Sequence, residues 1–426
     1  MNARRALIGV LVAAWAVAAR AGDWPQILGP NRSGVAAADE SLAESWPAGG
    51  PPIVWRREVG AGYAGVAVAE GRAFLFHRVG GEEVVEALDA ATGKTLWKAA
   101  HPTMFTPQVG GGDGPLCVPL VHDGRVIVFG VQGVLRCLDA ATGAERWRRD
   151  THREFGAQEG YFGAGSTPIV AARRVVVNVG GSRAEAGVVA FALDTGETAW
   201  KATSEPASYA APVATSVGGL PHVLMVTRFA CLLIEPRSGA VLWRFPFGQR
   251  GPTVNAASPV TWPDGRLLVT AAYGIGSVCA SFDATGFRNL WEGVDPLASQ
   301  YCTPVALGDD VYCVDGRDDV PPTALKCLDA RTGRVRWTKP DVGYGTLLAA
   351  DGKLIVAESD GTLLLVRPGG RDCEILARGR PLVGTVRALP ALASGRLYVR
   401  DETTLACLDV GRSSHLDAGP HRPHAD

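Results

Sequence analysis

The chain has 426 residues and a formal net charge of −1. Its 42 lysine and arginine residues are scattered, which excludes the dense positive face of a nucleic-acid-binding protein. The chain has only three methionines but 53 glycines, and its valine- and leucine-rich runs are broken by Gly and Asp. This composition favours strands and turns over helices.

Residues 1–21 have the features of a signal peptide. Arg4 and Arg5 precede an apolar run of 14 residues that ends at Ala19, and Ala19-Arg20-Ala21 fits the small-x-small cleavage pattern. The run is shorter than the roughly 20 residues that a membrane-spanning helix needs. We therefore expect cleavage near Ala21, a periplasmic or secreted mature protein without a membrane span, and an N-terminal extension over residues 22–52. A retained membrane anchor is the alternative.

A short motif that ends in tryptophan recurs along the rest of the chain. The stretch from Ala87 reads Ala-Leu-Asp-Ala-Ala-Thr-Gly-Lys-Thr-Leu-Trp and ends at Trp97. Further copies, some of them looser, end at Trp147, Trp200, Trp243, Trp291 and Trp337. Successive tryptophans lie 43 to 53 residues apart, which is the repeat length of a β-propeller blade.

Each period divides into four short strands, which we name A to D. Strand A is a small apolar run such as Ser166-Thr-Pro-Ile-Val, and a two-residue hairpin turn such as Asp123-Gly124 leads into strand B. Strand C carries the Leu-Asp pair of the motif. A loop closed by a glycine such as Gly143, which we expect in the left-handed conformation, leads to strand D and its tryptophan.

Three of the nine cysteines share one position of the repeat. Cys137, Cys327 and Cys407 each stand directly before Leu-Asp. A recurring position of this kind indicates a small buried core site, in which a free thiol packs well. The sequence does not specify disulfide bonds.

The strand count predicts a closed ring. Eight A strands can be recognised, but the eighth C strand, Leu405-Ala-Cys-Leu-Asp, has no D strand after it. The segment Ile53-Val-Trp-Arg-Arg has no A, B or C strand before it, and Trp55 fills the tryptophan position. We therefore predict an all-β, eight-bladed β-propeller of four-stranded antiparallel blades over residues 53–410, closed by the N- and C-terminal strands in one blade. Residues 411–426 are predicted to be a disordered tail.

The repeated Leu-Asp-Ala-x-Thr-Gly-x-x-x-Trp resembles the tryptophan-docking motif of pyrroloquinoline-quinone-like (PQQ-like) propeller repeats. The segment Asp23-Trp-Pro-Gln-Ile-Leu-Gly-Pro-Asn-Arg-Ser-Gly, followed by Ser45-Trp-Pro and Val54-Trp-Arg, is similar to the opening of exported bacterial PQQ-like proteins of the planctomycete type. The resemblance covers residues 23 to 410 and implies the eight-bladed fold.

Two branches that share this fold have known roles, and the chain departs from both. Quinoprotein alcohol and sugar dehydrogenases hold PQQ over the central channel with an adjacent Cys-Cys pair, acidic and amide calcium ligands and an aspartate base. This sequence has no adjacent cysteines and lacks their long insertions. The propeller subunit of the outer-membrane β-barrel assembly machinery is a lipoprotein scaffold, but here no cysteine precedes Cys117 to carry the lipid. Fold alone does not decide between these roles.

Polar and aromatic residues recur just before the A strands, which line the channel of a propeller. They are Tyr63, Tyr161, Tyr209, Asn255, Gln300, Tyr301, Tyr344 and Arg387, accompanied by Arg250. We expect them to converge at one mouth of the channel, where aromatic walls with amide and guanidinium donors suit a planar or anionic ligand or an extended peptide. Tyrosines that only pack between neighbouring blades are the alternative.

Other candidate sites are weak. No catalytic set can be recognised, and the histidines and cysteines do not have the spacing of a metal site. Asp315, Asp318 and Asp319 could hold a weak calcium ion, but they lack the glycine and terminal glutamate of a calcium-binding loop. A solvated acidic loop is the preferred interpretation.

These observations predict a non-catalytic scaffold that binds a protein or a small molecule at the channel mouth or on the D-to-A loops. The longest of these loops are residues 101–115 and 151–165, and binding sites are commonly found on such loops. The protein is expected to be a monomer that binds no nucleic acid. A PQQ-dependent dehydrogenase with a reduced pocket, which would need PQQ and calcium, is the first alternative. A module that acts on polysaccharide or cell-envelope partners is the second.

Overall fold

The computed structural model describes residues 22–110, 112–181 and 185–412. The predicted signal peptide, residues 1–21, and residues 413–426 of the predicted tail, 411–426, lie outside these ranges. Within them the chain forms 32 strands and one short helix, α1 (Thr151–Phe155). The strands in chain order are β1 (Ile53–Glu58), β2 (Ala67–Ala69), β3 (Arg72–Val79), β4 (Glu82–Asp89), β5 (Thr95–Pro102), β6 (Leu120–His122), β7 (Arg125–Phe129), β8 (Val134–Asp139), β9 (Glu145–Asp150), β10 (Ile169–Ala171), β11 (Arg174–Gly181), β12 (Ala186–Ala192), β13 (Thr198–Ala202), β14 (Val213–Val217), β15 (Leu220–Val226), β16 (Ala230–Ile234), β17 (Val241–Pro246), β18 (Val260–Thr261), β19 (Arg266–Ala271), β20 (Gly276–Phe282), β21 (Phe287–Gly293), β22 (Val305–Leu307), β23 (Asp310–Arg317), β24 (Val320–Asp329), β25 (Val335–Pro340), β26 (Gly345–Ala350), β27 (Lys353–Glu358), β28 (Leu363–Pro368), β29 (Cys373–Gly379), β30 (Ala391–Ala393), β31 (Arg396–Arg400) and β32 (Thr404–Asp409).

The described strands form eight four-stranded antiparallel sheets. Blades 1 to 7 are consecutive sets of four strands from β2 to β29, and blade 8 consists of β30, β31, β32 and β1. In blade 1 the A strand β2 is fully buried, whereas the D strand β5 alternates between exposed and half-buried positions. The A strands therefore surround the centre of the ring and the D strands form its rim. This confirms the predicted all-β, eight-bladed propeller.

Blade 8 joins the two ends of the propeller. Strand β1 pairs antiparallel with β32, and Trp55 stands opposite Cys407 in the register. Because β1 supplies the outer strand that the C-terminal segment lacks, blade 8 has the same number of strands as its neighbours. The predicted ring closure is confirmed.

The tryptophan of the repeat holds adjacent blades together. Trp97 of blade 1 donates its indole N–H to the carbonyl of Ala140 in blade 2 at 3.2 Å, and Trp243 of blade 4 donates to Asp283 in blade 5 at 2.8 Å. The loop glycine of the next blade lies against the indole, since a Cβ on Gly143 would lie 2.5 Å from the ring of Trp97. The motif is therefore an interblade contact between the tryptophan of one blade and the C-to-D loop of the next.

The cysteines belong to the core. All nine are buried free thiols, and the three at the shared position, Cys137, Cys327 and Cys407, are fully buried as predicted. Burial raises the pKa of the Cys137 thiol to about 12. These thiols therefore act as small apolar side chains.

The N-terminal extension lies across the face of the ring on which the A-to-B turns are found, which we call the A-to-B face. Trp24 pairs with Val68 in blade 1, and Val35 pairs with Ala349 in blade 7, two blades away around the ring. We call residues 23–36 the strap. The opposite face, which carries the D-to-A and B-to-C loops, is the D-to-A face.

The strap fills the centre of the ring. Ile27 and Leu28 pack against one residue from each of three blades, namely Val118, Ala211 and Leu389. Arg32, 2% exposed, donates to the carbonyls of Thr167 and Pro212 at 3.3 and 2.9 Å and also to that of Pro168. Burial lowers the pKa of this guanidinium to about 9. The channel is therefore closed from the A-to-B face.

None of the helices among the described residues is long and apolar enough to cross a membrane.

Candidate functional site

The eight residues predicted at the channel mouth lie on the D-to-A face in two separate groups. The first group surrounds Asp318 near blades 6, 8 and 1 and comprises Tyr63, Gln300, Tyr301, Tyr344 and Arg387. The second group lines a cavity above blades 3 and 4 and comprises Tyr161, Tyr209 and Asn255. The two groups differ in how much of their hydrogen-bonding capacity is already used.

Asp318, in the B-to-C loop of blade 6, connects three blades. Its carboxylate lies 3.0 Å from Nη2 of Arg387, in the segment that enters blade 8, and accepts from Ser359 of blade 7 at 2.7 Å. The Arg387 guanidinium lies 5.4 Å from the ring centroid of Tyr63, whose hydroxyl donates to Glu402 at 3.1 Å. These contacts extend from blade 6 to blade 1, and the charge of Arg387 is paired within them.

The other members of the first group fix the loops around Asp318. Gln300 donates to the hydroxyl of Tyr273 at 2.9 Å. Tyr344 is buried, and its hydroxyl accepts the backbone N–H groups of Tyr301 and Cys302 at 2.7 and 3.1 Å. The Tyr301 ring stands nearly perpendicular to that of Tyr344, with their centroids 4.7 Å apart. The geometry of Tyr344 fits the alternative in which a tyrosine packs between blades.

The second group lines a cavity of about 830 Å³. Its walls are the D-to-A loops that follow blades 1 to 4, together with the end of strand β11 in blade 3 and the B-to-C loop of blade 4. Tyr161 is 41% exposed at its edge. The hydroxyl of Tyr209 accepts from the N–H of Phe162 at 3.1 Å. Asn255 is buried in the wall, where its amide donates to the carbonyl of Thr227 at 2.9 Å.

Two arginines flank one aromatic ring in the wall of this cavity. The guanidinium carbons of Arg228 and Arg250 lie 5.0 and 5.6 Å from the centroid of Phe229. Arg228 is half-buried and donates to the Thr253 hydroxyl and the Gly251 carbonyl, both at 2.9 Å. Burial lowers the pKa of Arg228, which the nearby tyrosine hydroxyls only partly offset. Within the described ranges neither guanidinium forms an ion pair with a carboxylate.

Sequence reasoning missed Arg228, Phe229 and Tyr273 on this face, and it considered Asp318 only as a possible calcium ligand. Each follows a B strand, β15, β19 or β23, and therefore lies in a B-to-C loop. The residues predicted at the channel mouth were all taken from positions before A strands. Since antiparallel strands alternate in direction, B-to-C loops open on the same face as D-to-A loops. The alternation of strand direction could therefore have predicted that the B-to-C loops contribute residues to this site.

The three aspartates considered as calcium ligands pair with three different cations. Asp315 lies 2.8 Å from Lys326, Asp318 3.0 Å from Arg387 and Asp319 2.5 Å from Arg317. In the part of the chain that the structure describes, no group of three or more His, Cys, Asp or Glu side chains is placed to hold a metal ion. The aspartates therefore position loops through ion pairs.

The residues on this face do not fit PQQ with calcium. The nine cysteines are buried and no two are adjacent, so no Cys-Cys pair is available to stack on a quinone. The loop aspartates face lysine and arginine, so they do not form the acidic and amide ligand set that the dehydrogenase resemblance implies.

Seven of the thirteen exposed large apolar side chains among the described residues lie on the D-to-A face. Met104 and Val383, both in D-to-A loops, are 89% and 85% exposed. Exposed members elsewhere on this face are Val79, Val109, Tyr161, Val294 and Val320. Of the other six, five lie on the outer D strands and Leu220 lies at an A-to-B turn; the five are Ile53, Val54, Leu96, Phe287 and Ile375.

Known proteins share both the sequence pattern and the fold. A family model described as outer membrane protein assembly factor BamB matches residues 81–339, more than half of the chain. The outer membrane protein assembly factor BamB of Burkholderia pseudomallei (strain K96243) is 26% identical over 360 residues, which cover 81% of this chain and 84% of that protein.

Two solved structures share the fold at low sequence identity. BamB from Moraxella catarrhalis superimposes with a TM-score of 0.60 at 18% identity, covering 86% of this chain and 99% of that one. The quinohemoprotein alcohol dehydrogenase ADHIIG from Pseudomonas putida HK5 superimposes with a TM-score of 0.62 at 15% identity, covering 95% and 82%. The chain belongs to the PQQ-like β-propeller family whose model is described as outer membrane protein assembly factor BamB, and it shares its fold with quinohemoprotein alcohol dehydrogenases.

Proposed function

We propose that this protein is an exported, non-catalytic scaffold that binds a partner protein on its D-to-A face. The observation that carries the proposal is the pair of apolar side chains on loops of that face, Met104 and Val383, which are almost fully exposed. Exposed apolar groups with a polar surround are typical of protein-binding surfaces. The relatives named as outer membrane protein assembly factors support a protein partner, and the predicted signal peptide supports export.

The ionisable groups of the face support binding over catalysis. Asp318 pairs with Arg387, and Tyr63 donates to Glu402. A general acid or base must be able to exchange a proton with a substrate. Groups already held in ion pairs and hydrogen bonds between loops instead give the face a fixed shape.

The proposal predicts that charge placed on the D-to-A face abolishes partner binding. We expect the double variant Met104→Asp/Val383→Asp to bind its partner at least about tenfold more weakly than the wild type. The reason is that two carboxylates would have to be desolvated at an apolar contact. Leu220→Asp, on the A-to-B face, is the matched control and should bind like the wild type. The measurement is quantitative capture from a cell-envelope extract, with each captured protein identified by mass spectrometry.

One result would contradict the scaffold proposal directly. If the double variant and Leu220→Asp capture the same proteins in the same amounts, the D-to-A face is not the binding surface. A second assay tests the dehydrogenase alternative, by titration with PQQ and calcium followed by dye-linked oxidation of alcohols and sugars. Saturable PQQ binding with turnover would replace the scaffold proposal with an enzymatic one.

A further inference from the structure

We infer that the cavity above blades 3 and 4 receives an acidic segment of the partner protein, with a carboxylate held at Arg228 and Arg250. This inference rests on the proposed function and specifies the chemistry of the partner. The ligand it requires carries carboxylate groups next to apolar side chains.

Two arginines elsewhere on the D-to-A face are already paired with carboxylates, since Arg78 lies 3.3 Å from Asp113 and Arg317 lies 2.5 Å from Asp319. Arg228 and Arg250 have no carboxylate partner within the described residues. A half-buried guanidinium that has lost part of its hydration is stabilised by an anion, and guanidinium–carboxylate hydrogen bonds are among the stronger ones in proteins.

The Arg228 side chain is already held in place before any ligand binds. Arg228 is held by Thr253 and Gly251, and both arginines contact the face of Phe229. Little side-chain freedom is therefore left for Arg228 to lose on binding. The Tyr209 hydroxyl accepts a hydrogen bond from Phe162, which leaves its own proton free to be donated to a carboxylate.

The size of the cavity and its apolar rim favour a peptide over a small anion. At about 830 Å³ the cavity is larger than one carboxylate group requires. Its lining includes Gln108 and Tyr161, whose backbones are joined by a hydrogen bond of 3.1 Å. Exposed apolar residues, Val109 and Met104, adjoin this edge along the chain. A segment with alternating acidic and apolar side chains would use both the arginines and this apolar rim.

The test uses fluorescein-labelled octapeptides and fluorescence anisotropy at low salt. The probe is (Glu-Phe)4, and the matched control peptide is the uncharged (Gln-Phe)4. We expect saturable binding of the glutamate peptide, weaker binding of the glutamine peptide and a loss of affinity of about tenfold in Arg250→Gln. Arg250 is exposed, so this variant should fold, and an unchanged melting temperature verifies that it does.

The matched protein control is Arg288→Gln, which removes the same charge from an exposed position on β21 at the rim. It should bind the glutamate peptide like the wild type. The inference is overturned if the wild type shows no saturable binding, if both peptides bind equally, or if Arg250→Gln behaves like Arg288→Gln. It is also overturned if citrate alone binds as tightly as the peptide with the same dependence on Arg250, since the site would then be one for small anions.

Failure of this inference can be distinguished from failure of the scaffold proposal. Suppose that the peptide does not bind, but the wild type captures an envelope partner that Met104→Asp/Val383→Asp fails to capture. The scaffold proposal then stands and the acidic segment is rejected. If Arg250→Gln also abolishes capture of the partner, both are supported by independent readouts.

Discussion

Glu83 is a carboxylate buried between blades 1 and 2. It is 2% exposed, and its Oε1 accepts the backbone N–H of Val131 at 2.9 Å. Burial raises the pKa of Glu83 to about 7, although that hydrogen bond and the charges of Arg78 and Arg136 act in the opposite direction. The folded protein therefore holds the Glu83 proton more tightly than the unfolded chain does.

This shift predicts a pH-dependent stability. Because the folded pKa is above the ordinary value of 4.5, the contribution of Glu83 is fully present below about pH 4.5 and is lost as the pH rises through about 7. The shift corresponds to roughly 3 kcal/mol. In Glu83→Gln the amide oxygen can still accept from Val131 and no charge is buried. We expect this variant to exceed the wild type in unfolding free energy at pH 8 and to approach it towards pH 4.5.

Urea denaturation across this pH range measures the effect. Glu82→Gln, at the exposed neighbouring position, is the control and should follow the wild-type profile. An identical pH profile for Glu83→Gln and the wild type would show that burial does not hold the proton on Glu83.

In the C-to-D loop, one glycine is required for two reasons: its backbone conformation and its contact with the neighbouring blade. Gly143 has a φ of +75°, which favours glycine, and a Cβ there would lie 2.5 Å from the Trp97 indole of the preceding blade. The first constraint follows from the turn and was predicted from the sequence. The second depends on a side chain in another blade and appears only in the structure.

The two constraints can be separated by a pair of alanine substitutions. Gly143→Ala should cost about 2–4 kcal/mol, because the left-handed conformation is strained and the methyl group displaces the indole. Gly124→Ala, in the A-to-B turn of the same blade, has a φ of +67° and no atom within 4 Å of its Cβ. It should cost about 1 kcal/mol. Equal losses in thermal unfolding would mean that the Trp97 contact contributes nothing.

At the scale of the whole molecule, the strap connects blades that are remote in sequence. Arg32 donates to carbonyls that lie 135 to 180 residues further along the chain. Its removal would leave the carbonyls of Thr167, Pro168 and Pro212 without this donor at the centre of the ring.

Arg32→Ala should therefore lower the free energy of unfolding by about 2–4 kcal/mol, since buried carbonyl groups lose hydrogen bonds that water cannot easily replace. Arg288→Ala, at an exposed position on the rim, should change it by less than about 0.5 kcal/mol. Urea denaturation measures both. An Arg32→Ala variant as stable as Arg288→Ala would show that the strap only lies on the ring and does not hold it together.

The propeller blades could be predicted from the sequence because the same motif recurs in most of them. Trp97, Trp147 and Trp337 occupy the same position in copies of one motif. Trp55 occupies this position in a strand that no A, B or C strand precedes, and it therefore identified the closing strand. The strap contains no repeated motif, so its position on the ring could not be predicted. Arg32 binds backbone carbonyls, which every residue has, so the sequence does not identify its partners. At the site, residues before A strands were predicted, but a loop arginine such as Arg228 looks ordinary until its missing carboxylate partner is visible.

The described chain both begins and finishes on the strap side. Gly22 accepts a hydrogen bond from Ser394 in the A-to-B turn of blade 8, and Arg412 donates its backbone N–H to Ser41 at 3.2 Å. A surface coupled at Gly22 or at Arg412 would therefore lie on the A-to-B face. The cavity lined by Arg228 and Arg250 would then face away from that surface and stay accessible to a partner protein in solution.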